Sequence, residues 1–138
     1  MKRLVAPGLI ILALAALALW GVWQKAPQPA AQAIVCADPV AGCVFMHNGA
    51  PCRLRFSGPP EALKPFALSL AAPNLGQASV SFRMLGMDMG ITRYELRQEA
   101  SGNWAAQVTL PVCTASRADW EAELNLDGRL YTLAFITR

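Results

Sequence analysis

The sequence predicts an all-β fold: an immunoglobulin-like antiparallel β-sandwich preceded by one N-terminal transmembrane helix. Three observations predict it: one long apolar run at the start, short alternating segments separated by turns, and no long amphipathic helix after the run. They divide the 138 residues into a basic cytoplasmic start at 1–3, a transmembrane signal-anchor helix at 4–23, a Pro/Ala-rich linker at 24–35 and an exported β-sandwich domain at 36–138.

The first element is the apolar run, which continues from Leu4 to Trp23 without a charge. At about 1.5 Å per helical residue it reaches about 30 Å, the thickness of a bilayer's hydrocarbon core. Lys2 and Arg3 precede the run, and the positive-inside rule puts that end in the cytoplasm. The sequence therefore predicts a single-pass protein of the inner (cytoplasmic) membrane, bound to it through residues 4–23, with its C-terminal domain in the periplasm.

A cleaved signal peptide is the alternative interpretation of the same start. Ala31-Gln32-Ala33 has the small-x-small pattern of a cleavage site. The apolar run, however, is longer than the usual 7–15 residues of a signal peptide's central region. A lipoprotein does not fit, because Val35 before Cys36 is not a small residue. Anchored or cleaved, the domain is exported.

The last two segments predict the clearest hairpin. Apolar and polar residues alternate from Trp120 to Leu126, which indicates a half-buried strand, and Asp127-Gly128 is a strong two-residue turn signal. The predicted pairs are Leu126 with Arg129, Leu124 with Tyr131, Ala122 with Leu133 and Trp120 with Phe135. A slip of one residue would bury Glu121 and Glu123, so pattern and turn agree on one register.

A second hairpin is predicted around Ser101-Gly102-Asn103, read as a three-residue loop. The predicted pairs are Gln98 with Ala106, Leu96 with Val108 and Tyr94 with Leu110. Earlier strands are predicted at 44–47, 52–56, 66–71 and 78–84, with a turn at Asn48-Gly49. About seven strands in about a hundred residues are typical of an immunoglobulin-like sandwich.

Charge excludes one class of function. Three of the twelve basic residues, Lys2, Arg3 and Lys25, precede the domain, so nine basic and nine acidic residues remain in it. A domain without net charge or a basic stripe is not expected to bind nucleic acid. One histidine and no clustered carboxylates provide no nucleophile–base set, so no enzymatic activity is expected.

Four cysteines, Cys36, Cys43, Cys52 and Cys113, all lie in the exported part. An even count in an oxidising compartment predicts two disulfides. Sequence alone leaves three connectivities open, of which we favour Cys36–Cys43 with Cys52–Cys113. The absence of C-x2-C spacing disfavours zinc and thioredoxin-like alternatives.

A methionine cluster is the one feature that indicates specific chemistry. Met84, Met87 and Met89 lie within six residues that also contain Gly86. Thioether sulfur is a soft ligand for Cu(I), and His47 is the chain's one candidate nitrogen ligand of this type. The alternative is structural: methionine fills irregular cores well, and a single histidine is more often a hydrogen-bonded core residue than a ligand.

The stretch 82–90, followed by Arg93, Leu110-Pro111-Val112-Cys113 and Trp120, resembles a group of uncharacterised proteobacterial membrane-anchored exported proteins. The layout is more loosely similar to FixH-like and YtkA-like domains. The resemblance implies copper handling or support of respiratory oxidase assembly, with Met84, Met87 and Met89 as the ligands that carry over. The chain lacks the His-x-Met pair of well-known exported copper chaperones.

Two functional hypotheses follow. The first is a membrane-anchored periplasmic accessory domain that binds copper through the Met cluster and supports metal delivery or oxidase assembly. The second is a protein-interaction module without metal that assists a membrane protein complex, since methionines adapt to irregular partner surfaces.

Overall fold

The computed structural model describes residues 5–24, 30–86, 92–112 and 118–137. A helix, α1, covers Val5–Gln24. The strands are β1 (Gln32–Ala33), β2 (Cys43–His47), β3 (Ala50–Phe56), β4 (Pro65–Ala71), β5 (Ala78–Met84), β6 (Thr92–Glu95), β7 (Arg97–Gln98), β8 (Trp104–Thr109), β9 (Asp119–Leu126) and β10 (Arg129–Ile136).

The strands form two five-stranded sheets. Sheet A has the order β1-β10-β9-β5-β6, and sheet B has the order β2-β3-β4-β8-β7. The β1–β10 pair is parallel, and the other strand pairs within the two sheets are antiparallel. The predicted all-β sandwich is confirmed at this level.

The core lies between the sheets, where the alternation of each strand places its apolar side chains. Phe56 and Phe66 of sheet B meet Phe82 and Phe135 of sheet A, with ring centroids 5.4 Å apart for Phe56–Phe135 and 6.3 Å apart for Phe66–Phe82. These rings are all at least nine-tenths buried. Their burial is the main force that holds the two sheets together.

The C-terminal hairpin has the predicted register at each of its four predicted pairs. Asp127 and Gly128 adopt φ angles of 48° and 86°, the left-handed values that a two-residue turn requires. Asn48 and Gly49 form the equivalent turn between β2 and β3, with φ angles of 50° and 79°. Both turn predictions are confirmed.

The second predicted hairpin is wrong in register. Gln98 pairs with Trp104 rather than Ala106, and the loop runs from Glu99 to Asn103. Tyr94 pairs with Val80 in sheet A, so the chain leaves one sheet at Leu96 and enters the other at β7. The reason is tertiary: Leu96 N still donates to Ala78 O of sheet A, while Gln98, two residues later, already pairs with Trp104 of sheet B.

The sandwich has two distinct ends, which we name by their connections. The hairpin end carries the turns 48–49 and 127–128 and the loops 72–77 and 99–103. The loop end carries the described residues 57–64, 85–86, 110–112 and 136–137. The chain enters at the hairpin end, because β1 begins beside Tyr131 and runs parallel to β10.

The N-terminal prediction is only partly tested. Within the part of the chain that the structure describes, no helix combines the length and hydropathy that crossing a membrane requires. The transmembrane helix at 4–23 therefore stays a prediction. Strand β1 and the buried Ile34 lie inside the segment predicted as a linker, so ordered structure begins before residue 36.

Candidate functional site

His47 lies in the core at the hairpin end of β2, with 3 % of its surface exposed. Its Nδ1 is 2.9 Å from the Tyr131 hydroxyl, and its Nε2 is 3.1 Å from the side-chain nitrogen of Asn48. An amide nitrogen can only donate, so Nε2 accepts and Nδ1 carries the hydrogen. Both ring nitrogens are already hydrogen-bonded, which is the arrangement of a structural histidine.

Met84 lies at the other end of the sandwich and is 2 % exposed. Tyr131, the partner of His47, pairs with Leu124, which pairs with Val80. Met84 follows Val80 by four residues on β5, roughly 13 Å along a strand. The structure therefore does not bring Met84 and His47 together.

The other two predicted ligands, Met87 and Met89, lie outside the described residues. Among the residues that are described, no three His, Cys, Asp or Glu side chains are grouped as a metal site would need. The predicted copper site stays a prediction, and what supports it is the sequence of residues 84–90.

Three of the four cysteines lie among the described residues, and the fourth does not. Cys36 and Cys43 form a disulfide, which confirms that predicted pair and links the segment after β1 to the start of β2. Cys52 carries a free thiol in the core, 3.9 Å from the carbonyl oxygen of Ala50. Burial raises the pKa of this thiol, while a backbone hydrogen bond from His47 opposes that rise. The predicted Cys52–Cys113 bridge is therefore wrong, because the thiol of Cys52 is free; Cys113 itself lies outside the described residues.

The loop end carries a concentration of exposed apolar side chains. The exposed fractions are 65 % for Leu63, 39 % for Leu85, 51 % for Val112 and 75 % for Ile136. Backbone contacts hold these residues at one end: Leu63 N donates to Leu110 O at 2.9 Å, and Leu85 N donates to Asp119 O at 3.4 Å. Exposed apolar side chains that collect at one end of a domain make that end a candidate contact site.

Leu63 has a second unusual property, a φ angle of 61°. A left-handed backbone is uncommon for leucine, and such strain persists only where surrounding structure holds it. Here the holding contacts are the parallel bridge between Ala62 and Leu110 and the turn in which Lys64 N donates to Glu61 O at 3.3 Å. These contacts thus hold a strained backbone conformation at a residue whose apolar side chain is exposed to solvent.

A cleft of about 550 Å³ opens beside this surface. Its walls are the segment from Cys36 to Val40, the dipeptide Pro59-Pro60 and the end of β10 from Ala134 to Ile136. The disulfide fixes the first of these three walls, and the two prolines stiffen the second. The lining of this cleft is about half polar, and a rigid cleft requires little ordering when a partner side chain enters it.

The outward faces of the two sheets differ in charge. Sheet A carries Glu95, Asp119, Glu121, Glu123, Arg83 and Arg93, whereas sheet B carries Arg53, Arg55 and Arg97. On sheet A, Arg83 Nε donates to Glu121 at 2.7 Å, which raises the pKa of Arg83, and Arg93 donates to Glu95 at 2.9 Å. The sheet B arginines have no carboxylate within 4.0 Å among the described residues.

The sequence analysis did not single out the loop-end surface. The available signal was large apolar residues inside polar or proline-containing connections, as in Leu63 before Lys64 and Val112 after Pro111. Such residues look like ordinary loop positions until the topology shows that these connections share one end.

No family model, curated protein or solved structure matches this chain. The resemblance to membrane-anchored exported proteins and to FixH-like and YtkA-like domains therefore stays a prediction from the motif.

Proposed function

We propose that this chain is a membrane-tethered, exported, immunoglobulin-like accessory domain that contacts a membrane protein complex through its loop end. The observation that carries the proposal is the group of exposed apolar side chains at that end: Leu63, Leu85, Val112 and Ile136. The rigid cleft beside them adds a site that a partner's side chain could fill.

The tether is supported by the sequence of the first 25 residues. Residues 4–23 carry no charge, and basic residues precede them. The side chains of α1 described from Ile10 to Gly21 include large apolar ones that are more than half exposed, such as Leu12 and Leu19 at 70 %. These side chains are not buried against the sandwich, as an anchor requires.

The point at which the chain enters the sandwich also fits. The chain enters the sandwich at the hairpin end, and the apolar surface lies at the opposite, loop end. A tether that enters at one end leaves the other end free to meet a partner.

Site-specific photo-crosslinking of the full chain in its membrane tests the proposal. A photoreactive side chain at Leu63 or Val112 should give a discrete adduct with another protein. The same photoreactive side chain at Asn74, an exposed residue of the hairpin end, is the matched control. Equal adducts at both ends, or none at the loop end, would refute a loop-end contact.

Copper binding is the second candidate, and one observation favours it. Met84 pairs with Trp120, and Leu85 N donates to Asp119 O, so the described residues Gly86 and Ala118, which adjoin the segments 87–91 and 113–117 in sequence, follow and precede neighbouring strands. Met87, Met89 and Cys113 belong to those segments. Thioether and thiolate sulfur are soft ligands suited to Cu(I).

Titration of the detergent-solubilised full chain with Cu(I) in competition with a chromogenic chelator tests this candidate. The wild type should bind tighter than micromolar, and a Met87→Leu/Met89→Leu variant should lose that binding. Met46→Leu, an exposed methionine on β2, is the control and should bind as the wild type does. Wild-type binding no tighter than micromolar would exclude the copper hypothesis but leave the loop-end contact standing.

A further inference from the structure

Strand β2 is an open edge of sheet B. It consists of Cys43, Val44, Phe45, Met46 and His47 and carries no acidic or basic side chain other than its buried histidine. It pairs with β3 in an unbroken register from Cys43–Leu54 to His47–Ala50. No bulge, proline or lysine interrupts the strand, and these are the devices that usually protect a sheet edge.

The hydrogen-bonding groups on the free side belong to Val44 and Met46. His47 and Ala50 flank a two-residue turn, so His47, Phe45 and Cys43 direct their backbone groups toward β3. By the same alternation, the N–H and C=O of Val44 and Met46 point away from β3. Within the described ranges these groups have no backbone or side-chain partner.

Both ends of β2 are held in place. The Cys36–Cys43 disulfide fixes its start, and the His47–Tyr131 hydrogen bond fixes its end. Between them, Phe45 packs on Tyr131 with ring centroids 5.0 Å apart. A strand fixed in this way loses little conformational entropy when it pairs with another strand.

The other sheet edges in the described part of the chain are short or charged. β1 and β7 have two residues each, and β6 carries the ion pair between Arg93 and Glu95. β2 is thus the one described edge that is both five residues long and without exposed charge. Val44 and Met46 add exposed apolar side chains, at 57 % and 55 %.

We propose that β2 pairs with β2 of a second copy of this chain, antiparallel and centred on Phe45. In that register Val44 of one copy faces Met46 of the other, and each such pair exchanges two backbone hydrogen bonds. The side chains directly opposite are then apolar on both sides of the two-fold axis. The strand is complementary to itself in hydrogen bonding, and it carries no exposed charge that would repel a second copy.

The pairing is isologous, so it closes at two copies and does not form a filament. It joins the two B sheets into one sheet of ten strands, in which the hairpin end of each copy lies beside the loop end of the other. Pairing along one five-residue edge buries less than the roughly 1,000 Å² expected of a stable interface, so the dimer should be weak and depend on concentration. The inference does not depend on the loop-end contact.

Disulfide trapping with the full chain in lipid vesicles tests the register. Val44→Cys and Met46→Cys variants, mixed and oxidised with diamide, should give a covalent dimer, because the paired residues would lie about 5.5 Å apart. Each variant alone should give at least fivefold less dimer, since identical positions lie two residues out of register. A mixture of Val44→Cys with Ile136→Cys controls for chance encounter.

A proline substitution supplies an independent readout. Met46→Pro removes an N–H that points away from β3. When the Val44→Cys/Met46→Pro variant is mixed with the Met46→Cys variant, the covalent dimer should be lost, while the β-sheet circular dichroism of the proline variant is retained. Met46→Lys should also abolish association, by placing a charge on the edge. No covalent dimer in the mixture, or equal dimer in the single-variant samples, overturns the proposal, as does wild-type-like association of the lysine variant.

Discussion

The ring of His47 and the hydroxyl of Tyr131 join the two sheets through a hydrogen bond of 2.9 Å between residues 84 positions apart. His47 belongs to the edge strand of sheet B, and Tyr131 lies on β10 of sheet A. Both side chains are at least 97 % buried. This contact accounts for the chain's one histidine as a structural residue.

Tyr131→Phe should therefore destabilise the fold, although it removes only one oxygen atom and creates no sizeable cavity. It leaves Nδ1–H of His47 buried and unpaired, a cost of about 1–3 kcal/mol. Urea unfolding followed by circular dichroism measures the loss. Tyr94→Phe, which removes a part-buried hydroxyl that bonds Thr109, is the comparison and should cost less. An unchanged urea midpoint for Tyr131→Phe would contradict the assignment.

The stability of the domain should fall at alkaline pH because of Cys52. Burial raises the pKa of this thiol in the folded state above its ordinary value of 9.0. The protonated thiol is therefore favoured by folding, and this contribution is complete below pH 9 and lost as pH rises through the folded pKa. Unfolding free energy measured from pH 7 to 11 should fall less steeply in Cys52→Ala than in the wild type. Identical slopes in the two proteins would show that Cys52 does not contribute.

Removal of the Cys36–Cys43 disulfide should lower stability by about 2–3 kcal/mol, the value expected for a short closed loop. The paired Cys36→Ser/Cys43→Ser variant, compared by thermal unfolding, measures it. Reduction of the wild type should produce a similar change. Because the bridge fixes the start of β2, the variant should also expose Phe45 more than the wild type. A variant as stable as the wild type would exclude a stabilising role for this bridge.

Trp104→Phe should be neutral or slightly stabilising, an unusual result for a buried tryptophan. Trp104 is 8 % exposed, and its Nε1–H has no hydrogen-bond partner among the described residues. Phenylalanine keeps the ring contact and removes the unpaired donor. Trp104→Ala, which removes the ring as well, should cost about 3–5 kcal/mol. A loss above about 2 kcal/mol for Trp104→Phe would indicate that the indole nitrogen is satisfied.

Asp127 should matter more than its exposed turn position suggests. Its carboxylate accepts hydrogen bonds from Gly76 N at 3.2 Å and Gln77 N at 2.8 Å, which ties the loop before β5 to the β9–β10 turn. Asp127→Ala should cost about 1–2 kcal/mol, through these bonds and the positive φ. Asp127→Asn keeps the backbone preference and one acceptor oxygen, so it should lose less. Equal losses in both variants would assign the effect to the charge instead.

Local patterns predicted much of the sheet structure. Alternation and the Asp127-Gly128 turn were sufficient for the register of β9 and β10, because a slip by one residue would have buried two carboxylates. The Asn48-Gly49 turn and strand β5 were likewise correct. The crossing at Leu96 was not predicted, since nothing within a few residues of it shows which sheet each half of the strand joins.

The candidate sites were harder to predict from the sequence than the strands were. Copper ligands at Met84, Met87, Met89 and His47 were chosen by residue type, but the structure buries Met84 and His47 at opposite ends of the sandwich. The distance between two side chains on different strands depends on the order of the strands in the sheets, and residue type carries no information about that order. The loop-end surface was missed for the same reason, because Leu63 and Val112 are 49 residues apart in sequence.

The sequence by itself determined the strand alternation and the two tight turns, because each depends on residues close together in the chain. Tertiary structure alone decided that His47 is a core residue paired with Tyr131 and that β2 is an open edge. It also gathered the apolar residues Leu63, Leu85, Val112 and Ile136 at one end. These are properties of sheet order, which is set by the burial of the whole core rather than by any local pattern.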